Sequence, residues 1–441
     1  MVVFAPSIAG PLRKVPASGG AASEATKLAA GENAHRWPWF LPDGKHFLFA
    51  AGIVGINRMS IRVGSLDALE STKLLDADSG AIFSSGYLLY LRGNTLMARP
   101  FDARRLALSG EALPVVEHVQ SAGIFFLGAF SASATGLLAY AGSGAADFDL
   151  AWFDRKGTRL AALGEAAQFF RLNFSPDRRS LAVSITDQTS SNMDIWTYDV
   201  ARASRTRFTF DPAVELIAVW SPDGRTLVFG SSRKGHSDLY RKSANSAGAE
   251  ELLYADNLEK YPMSISPDGR FLLYQALGDP KTGYDLWILP DPLNAPGAAR
   301  PYPFLRTPFN EQNVQFSPDG HWIAYQSDES GRFEIYAAPF PGPGGKRQIS
   351  TSGGTLPRWR ADGKELFYMT PDQRLMAAEV MIKGGEFETG GVHPLFGPLP
   401  TSNGFQYDVS ADGQRILAIT PSKTASAPLT IVQNWPAGLK K

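Results

Sequence analysis

The sequence predicts an all-β chain built from one four-stranded unit repeated along its length. Three observations carry this reading. A short turn motif returns about every 45 residues, strand-like alternation flanks each copy, and no segment holds a sustained helical period.

The clearest copies of the turn are Phe174-Ser-Pro-Asp177, Trp220-Ser-Pro-Asp-Gly224, Ile265-Ser-Pro-Asp-Gly269 and Phe316-Ser-Pro-Asp-Gly320. Phe40-Leu-Pro-Asp-Gly44, Trp359-Arg-Ala-Asp-Gly363 and Val409-Ser-Ala-Asp-Gly413 are weaker copies. The turn aspartates 177, 223, 268, 319, 362 and 412 lie 46, 45, 51, 43 and 50 residues apart. Two degenerate copies, around Ser84-Ser-Gly86 and Phe130 to Gly136, fill the gap between Asp43 and Asp177.

Each copy has a physical reading. Proline suits the first central position of a type I turn, aspartate the second, and glycine takes the left-handed residue that closes a hairpin. A short strand ending in an aromatic or aliphatic residue precedes the turn, and an alternating strand such as Trp322-Ile-Ala-Tyr-Gln326 follows it. A third strand opens on an acid: Asp194-Ile-Trp196, Asp238-Leu-Tyr240, Asp285-Leu-Trp287 and Glu334-Ile-Tyr336. A fourth, such as Glu250-Glu-Leu-Leu-Tyr254, completes the unit. Four antiparallel strands in about 45 residues describe the blade of a β-propeller. Because the acids recur in unit after unit, they read as scaffold that accepts backbone N–H groups of its own turn or loop. The aromatics beside them read as packing between neighbouring blades.

A longer period sets the ring size. Leu96-Met-Ala98 returns as Leu375-Met-Ala377, Asp43 as Asp319 and Gly136 as Gly413, at offsets of 279, 276 and 277 residues. This predicts a duplicated six-bladed propeller, with an incomplete N-terminal ring over residues 1–162 and a complete six-bladed ring over 163–441. The last unit would supply three strands ending in Leu429 to Trp435, and Arg159 to Leu163 would add the fourth, removing a sheet edge. Met1 to Phe4 reads as the second strand of a unit whose first strand and turn are missing, as if the chain were shortened at its start. The charge-free stretch Val119 to Ala146 is too rich in Gly, Ser, Ala and Thr for a spanning helix and reads as two buried strands.

Composition narrows the function classes. Lys+Arg and Asp+Glu both total 43, so the chain lacks the basic surplus of a nucleic-acid binder. With no Cys, disulfides, thiolate metal sites and a cysteine nucleophile are excluded. No targeting or membrane-spanning segment is recognised. Gly342-Pro-Gly-Gly-Lys346 lacks the first glycine and the closing Ser/Thr of a phosphate loop, and Gly235-His-Ser-Asp238 lacks the second glycine of a nucleophile elbow. The six histidines show no ligand spacing. The sequence thus calls for no catalytic residue, metal or cofactor. Binding is expected where the units differ, on loops that enter each innermost strand and converge on one face of the channel. These carry Arg171, Glu215, Tyr261, Asn313, Arg358 and Gln406.

The repeat [FW]-S-P-D-G followed by D-[IL]-[WY] resembles the TolB-like propellers of bacteria. Longer strings are similar to the propeller region of bacterial, acidobacterial-type serine/threonine protein kinases. Among them are His35-Arg-Trp-Pro-Trp-Phe-Leu-Pro-Asp-Gly44, Thr206-Arg-Phe-Thr-Phe-Asp-Pro212, Ser327-Asp-Glu-Ser-Gly331 and Asn434-Trp-Pro-Ala-Gly-Leu-Lys440. No glycine-rich nucleotide loop, H-R-D or D-F-G motif accompanies them. The resemblance therefore implies a sensing or interaction module with a protein, peptide or small ligand at the propeller face. It also implies a place outside the cytoplasmic membrane. Two other readings stay open: an accessory propeller of a prolyl-oligopeptidase-type hydrolase encoded elsewhere, and a propeller enzyme using acids around its channel.

Overall fold

A computed structural model describes residues 1–6, 10–52, 59–122, 126–142, 148–187, 192–279, 282–294, 300–342, 344–399, 407–422 and 429–439. Among them the chain is all-β, with one short 3-10 helix at Trp435–Leu439 and no helix long and apolar enough to cross a membrane. It divides into two compact units. One takes residues 1–146, 187–192 and 423–441; the other takes 147–186 and 193–422.

The second unit holds, among its described residues, six four-stranded antiparallel sheets. We number their innermost strands β1 (Gln168–Phe174), β2 (Glu215–Trp220), β3 (Glu259–Ile265), β4 (Glu311–Phe316), β5 (Thr355–Trp359) and β6 (Tyr407–Val409). Each lies beside the innermost strand of the next sheet, and β6 returns to β1. The turn chemistry read from sequence is present: Ser221 Oγ donates to Asp223 Oδ1 (2.5 Å), which also accepts Arg225 N–H (3.0 Å). Gly224 closes that turn at φ +70°, while in the first sheet Arg178 occupies the same place at φ +61°. Apolar side chains from adjoining sheets merge into shared cores, as where Ile195, Phe208, Ala218, Leu227 and Phe229 meet.

The aromatics after the repeated acids stack across strands of their own sheet: Tyr240 on Phe229, Trp287 on Tyr274 and Tyr336 on Tyr325, at centroid distances of 6.2, 6.5 and 5.8 Å. The acids themselves mostly take side-chain partners rather than loop N–H groups. Asp194 accepts from Arg207 (2.8 Å), Asp238 from Lys260 (2.9 Å) and Asp285 from Thr282 (2.8 Å); Glu334 does accept a backbone N–H, from Gly353 (2.9 Å).

Closure differs from the expected three strands plus one. The sixth sheet runs Tyr407–Val409, Arg415–Pro421, Phe148–Asp154, Arg159–Ala162, so two strands come from each end of the unit. Arg159–Ala162 is its outer strand, but Leu429–Val432 belongs elsewhere. The alternating Phe148–Asp154 pairs along its whole length with Arg415–Pro421, leaving no place there for the C-terminal strand. The second unit accordingly starts at 147, not 163, and the C-terminal residues join the first.

In the first unit, Ala34–Phe40, His46–Gly52, Met59–Ser65 and Ala68–Ala77 form one four-stranded sheet, and Ile82–Ser84, Tyr87–Arg92 and Thr95–Asp102 begin a second. Val2–Phe4 opens a three-stranded sheet with Arg13–Val15 and Ser23–Glu24. The charge-free stretch gives short strands, of which Phe130–Ala132 and Leu138–Ala141 pair and Leu429–Val432 completes their sheet. Behind that last strand Trp435 is buried among Leu89, Leu91, Leu96 and Leu138.

Candidate functional site at the axis of the six-sheet unit

Each of β1 to β5 carries one residue more than the strand it pairs with. The register slips between Phe169 and Arg171, Leu216 and Ala218, Pro262 and Ser264, Gln312 and Gln315, and Thr355 and Arg358. Three residues at these bulges sit at positive φ: Ile217, Asn313 and Leu356. A bulge bends the strand, re-aims the side chains that follow and frees a backbone N–H from the ladder. At three of the five bulges the preceding sheet satisfies that N–H. Ser184 Oγ accepts Ile217 N–H (3.1 Å), Gln275 Oε1 accepts Asn313 N–H (3.1 Å), and Gln326 Oε1 accepts Leu356 N–H (3.0 Å).

A second set of bonds runs around the axis. The residues four before each turn aspartate are Asn173, Val219, Ser264, Gln315, Arg358 and Asp408. All but valine are polar, and each polar one reaches the next innermost strand. Asn173 Nδ2 donates to Ala218 O (2.8 Å), and Ser264 Oγ accepts Phe316 N–H (3.2 Å). With its amide oriented to suit its neighbours, Gln315 donates to Pro357 O (3.3 Å) and accepts from Arg358 Nη1 (2.8 Å). Arg358 Nε donates to Tyr407 O (3.4 Å), and Asp408 Oδ2 accepts Phe174 N–H (3.1 Å), bringing the sixth strand back to the first.

Of the residues expected on channel loops, Arg171, Glu215, Tyr261, Asn313 and Arg358 lie in the innermost strands instead, because the bulges break the period of two and hide the strand's leading half. Arg171, Asn313 and Arg358 are brought to the axis. Arg171, from β1, reaches past β2 to Met263 of β3, with Nη2 3.4 Å from Sδ. Arg171 and Arg358 are 5% and 1% exposed. Burial, then the like charge of Arg358, pushes the Arg171 guanidinium well below its ordinary value. Burial also lowers Arg358, against the pull of Asp408. Both remain cations at neutral pH, since a guanidinium is effectively always protonated. Asp408 lies 3.3 Å from Arg178 and 4.0 Å from Arg358.

Glu215 and Tyr261 engage their own sheets. Glu215 is fully buried on Arg233 and Ser231, and Tyr261 rests against Tyr284 at 6.4 Å. Burial pushes the Glu215 carboxyl up to about 7. Burial does the same to Glu311, up to about 7, and to Asp285, up to about 6. Gln406 lies outside the described residues. Asp408, Gln315, Gln275 and Gln326 were not anticipated; the polar run four before each turn aspartate would have signalled the first two. Ser237, from the elbow-like string, donates its hydroxyl to Lys260 O (3.0 Å) within the fold. Among the described residues no group of three or more His, Asp or Glu side chains is arranged to hold a metal ion.

Solved structures similar to this chain include a TolB-type protein from Agrobacterium tumefaciens. It is 19% identical, with 63% of this chain and 99% of that one covered and a TM-score of 0.49. TolB from Acinetobacter baumannii is 14% identical over 78% of this chain and 80% of that one, with a TM-score of 0.42. The tricorn protease is 13% identical over 93% of this chain and 42% of that one, with a TM-score of 0.37. The family model of the TolB β-propeller domain matches residues 167–282, which hold the first two sheets of the second unit and half of the third. Within the all-β chain, residues 167–282 thus match a TolB β-propeller domain.

Proposed function

We propose that the chain is a non-catalytic binding or sensing module that recognises a protein or peptide at the leading end of the six-sheet axis, where β1 to β6 begin. The observation behind it is the row of bulged strands. In the first five sheets the ladder gives up regularity at that end, and three of the residues at the bulges, Phe170, Asn313 and Leu356, differ from sheet to sheet and are half-buried, while Ile217 and Met263 are buried. A repeat that keeps its turns constant and varies its bulges is built to display differences on a rigid frame. The carboxylate at the axis, Asp408, is committed to a backbone N–H and two guanidinium groups, which supports holding the wheel together over acid–base work. The strings shared with kinase-associated propellers support a place in a sensor, with signalling carried by a separate domain.

The reading is tested with immobilised full-length chain offered candidate partner proteins. Asn313→Arg with Leu356→Asp should weaken capture by roughly tenfold or more, about 1.4 kcal/mol, while Lys364→Glu beside a turn should not. Capture that ignores the first pair, or turnover of any substrate lost in Asp408→Asn, overturns it. Recovery of a hydrolase subunit would favour an accessory role.

A further inference from the structure

We propose that the leading end of the six-sheet unit takes a primary ammonium, carried by the ligand and seated between Asp285 of the third sheet and Glu311 of the fourth. The inference rests on the binding-module reading and names the chemistry of its ligand. It comes from three equivalent places in the repeat. Strands β2, β3 and β4 set Glu215, Lys260 and Glu311 opposite Ser231, Ala276 and Ser327, each eight residues past its turn aspartate (223, 268 and 319). Between the second and third sheets the place is filled by an ammonium, Lys260, which lies 2.9 Å from the repeated acid Asp238. Between the first and second sheets both groups are acids, Asp194 and Glu215, and each has an arginine: Arg207 on Asp194 (2.8 Å) and Arg233 on Glu215. Between the third and fourth both are again acids, Asp285 and Glu311, but the position of Arg233, ten past the turn aspartate, holds Glu329. Arg306, half exposed and bound to Asp279, stands 3.9 Å from Asp285. The charges that bear on Glu311 are like charges, those of Asp285, Glu329 and Asp328.

Asp285 and Glu311 are 2% and 1% exposed. Each has one oxygen satisfied by a hydroxyl, Asp285 Oδ2 by Thr282 (2.8 Å) and Glu311 Oε1 by Thr307. The other oxygen of each, Asp285 Oδ1 and Glu311 Oε2, is buried with no hydrogen-bond partner. Two such oxygens on like-charged neighbours are costly to a fold, and a donor that carries positive charge removes both costs. An ammonium is that donor, a compact charge with three N–H groups. The preceding junction shows the chemistry in place, with Lys260 Nζ donating to Asp238 Oδ1 (2.9 Å) and Asp256 O (3.2 Å). A divalent metal suits the place less, because among the described residues no three acids or histidines are arranged to hold one. Glu311 opens β4 next to the neutral, half-buried Gln312 and Asn313. Two residues before it, Phe309 is 41% exposed and offers a ring to the alkyl stem that carries the charge.

The test uses the full chain at pH 8, above the raised values of both carboxyls. The probes are cadaverine, a capped pentapeptide with a central lysine, the same peptide with norleucine, potassium chloride and calcium chloride, all at one ionic strength. Thermal midpoints and titration calorimetry are read for the wild type, Glu311→Gln, Asp285→Asn and Glu311→Lys. Cadaverine, the lysine peptide or both should bind and raise the midpoint, and the norleucine peptide should not. Cadaverine alone marks a small amine, whereas the lysine peptide alone marks a side chain of a partner. Glu311→Gln and Asp285→Asn should bind the amine at least about tenfold more weakly. Glu311→Lys copies the Lys260 junction, so without probe it should melt above Glu311→Gln, and it should ignore the amines. Either salt matching the amines, no response to either amine, an unchanged response in Glu311→Gln, or Glu311→Lys melting below Glu311→Gln overturns the inference. Should the amines fail while partner capture still depends on Asn313 and Leu356, the binding-module reading stands and the ligand chemistry falls.

Discussion

At the Ser221-to-Gly224 turn, polarity and backbone handedness are divided between neighbours. Asp223 gathers one hydroxyl and one N–H, so Asp223→Ala removes two bonds from an exposed turn and should lower stability by about 1 kcal/mol. Gly224 has open space where a Cβ would go, but its φ is +70°. Gly224→Ala therefore meets no clash, only the left-handed backbone, and should cost about 1 kcal/mol as well. Urea midpoints of the two variants check this; an unaffected Gly224→Ala would mean the turn is not held at that φ. Such residues are legible in a sequence because every partner lies within five positions. Asn173 and Asp408 are not, for they bond 45 and 234 residues away. Polar side chains of that kind look like solvated loop residues until the wheel is closed.

At the scale of the element, the bulges and the exchanged strand separate what pattern reveals from what it hides. Strand existence followed from alternation, but the leading halves of β1 to β5 read as loops because one extra residue resets the alternation. The extra residue also creates a debt of backbone polarity. Gln326 Oε1 meets the N–H of Leu356 and the Nδ2 of Asn313 at 3.0 and 2.9 Å. Gln326→Leu keeps the volume and strands both donors, so it should cost about 2 kcal/mol with the denaturant slope unchanged. A loss under about 0.5 kcal/mol would show that water reaches the bulge. The C-terminal strand is legible in the sequence as a strand but its sheet is not, since two incomplete sheets offer equivalent partners and only the match of Phe148–Asp154 to Arg415–Pro421 decides. Removing residues 429–441 should therefore leave Phe130–Ala132 and Leu138–Ala141 as a bare hairpin, marginal by itself, and uncover the Trp435 pocket. Limited proteolysis should then cut near 130–141 while 193–422 stays protected. Faster cutting within 407–422 would mean that the C-terminal strand supports the sixth sheet after all.

For the whole molecule, two populations of carboxylates pull stability in opposite directions with pH. The turn aspartates 177, 223, 268 and 412 are held below the usual range, first by the neighbouring serine hydroxyl and then by backbone N–H groups. Their stabilisation is present above the unfolded value of about 3.9 and is lost as pH falls through the folded values. Glu215 and Glu311, raised by burial to about 7, and Asp285, raised to about 6, behave oppositely. From about pH 4, where the unfolded chain releases these protons, up to about 7, the native state binds more protons than the unfolded one. Stability must fall with rising pH across that window and level off above it. The chain should thus be most stable on the acid side of neutrality, between about pH 4 and 5, and weaken on both flanks. Glu311→Gln can keep the Thr307 contact without the charge. It should raise the urea midpoint at pH 8 and flatten the slope between pH 5 and 7, leaving the acid flank untouched. If the wild-type midpoint instead climbs from pH 5 to 7, the buried acids are ionised in the native state, and the wheel is held by their ion pairs rather than strained by their burial.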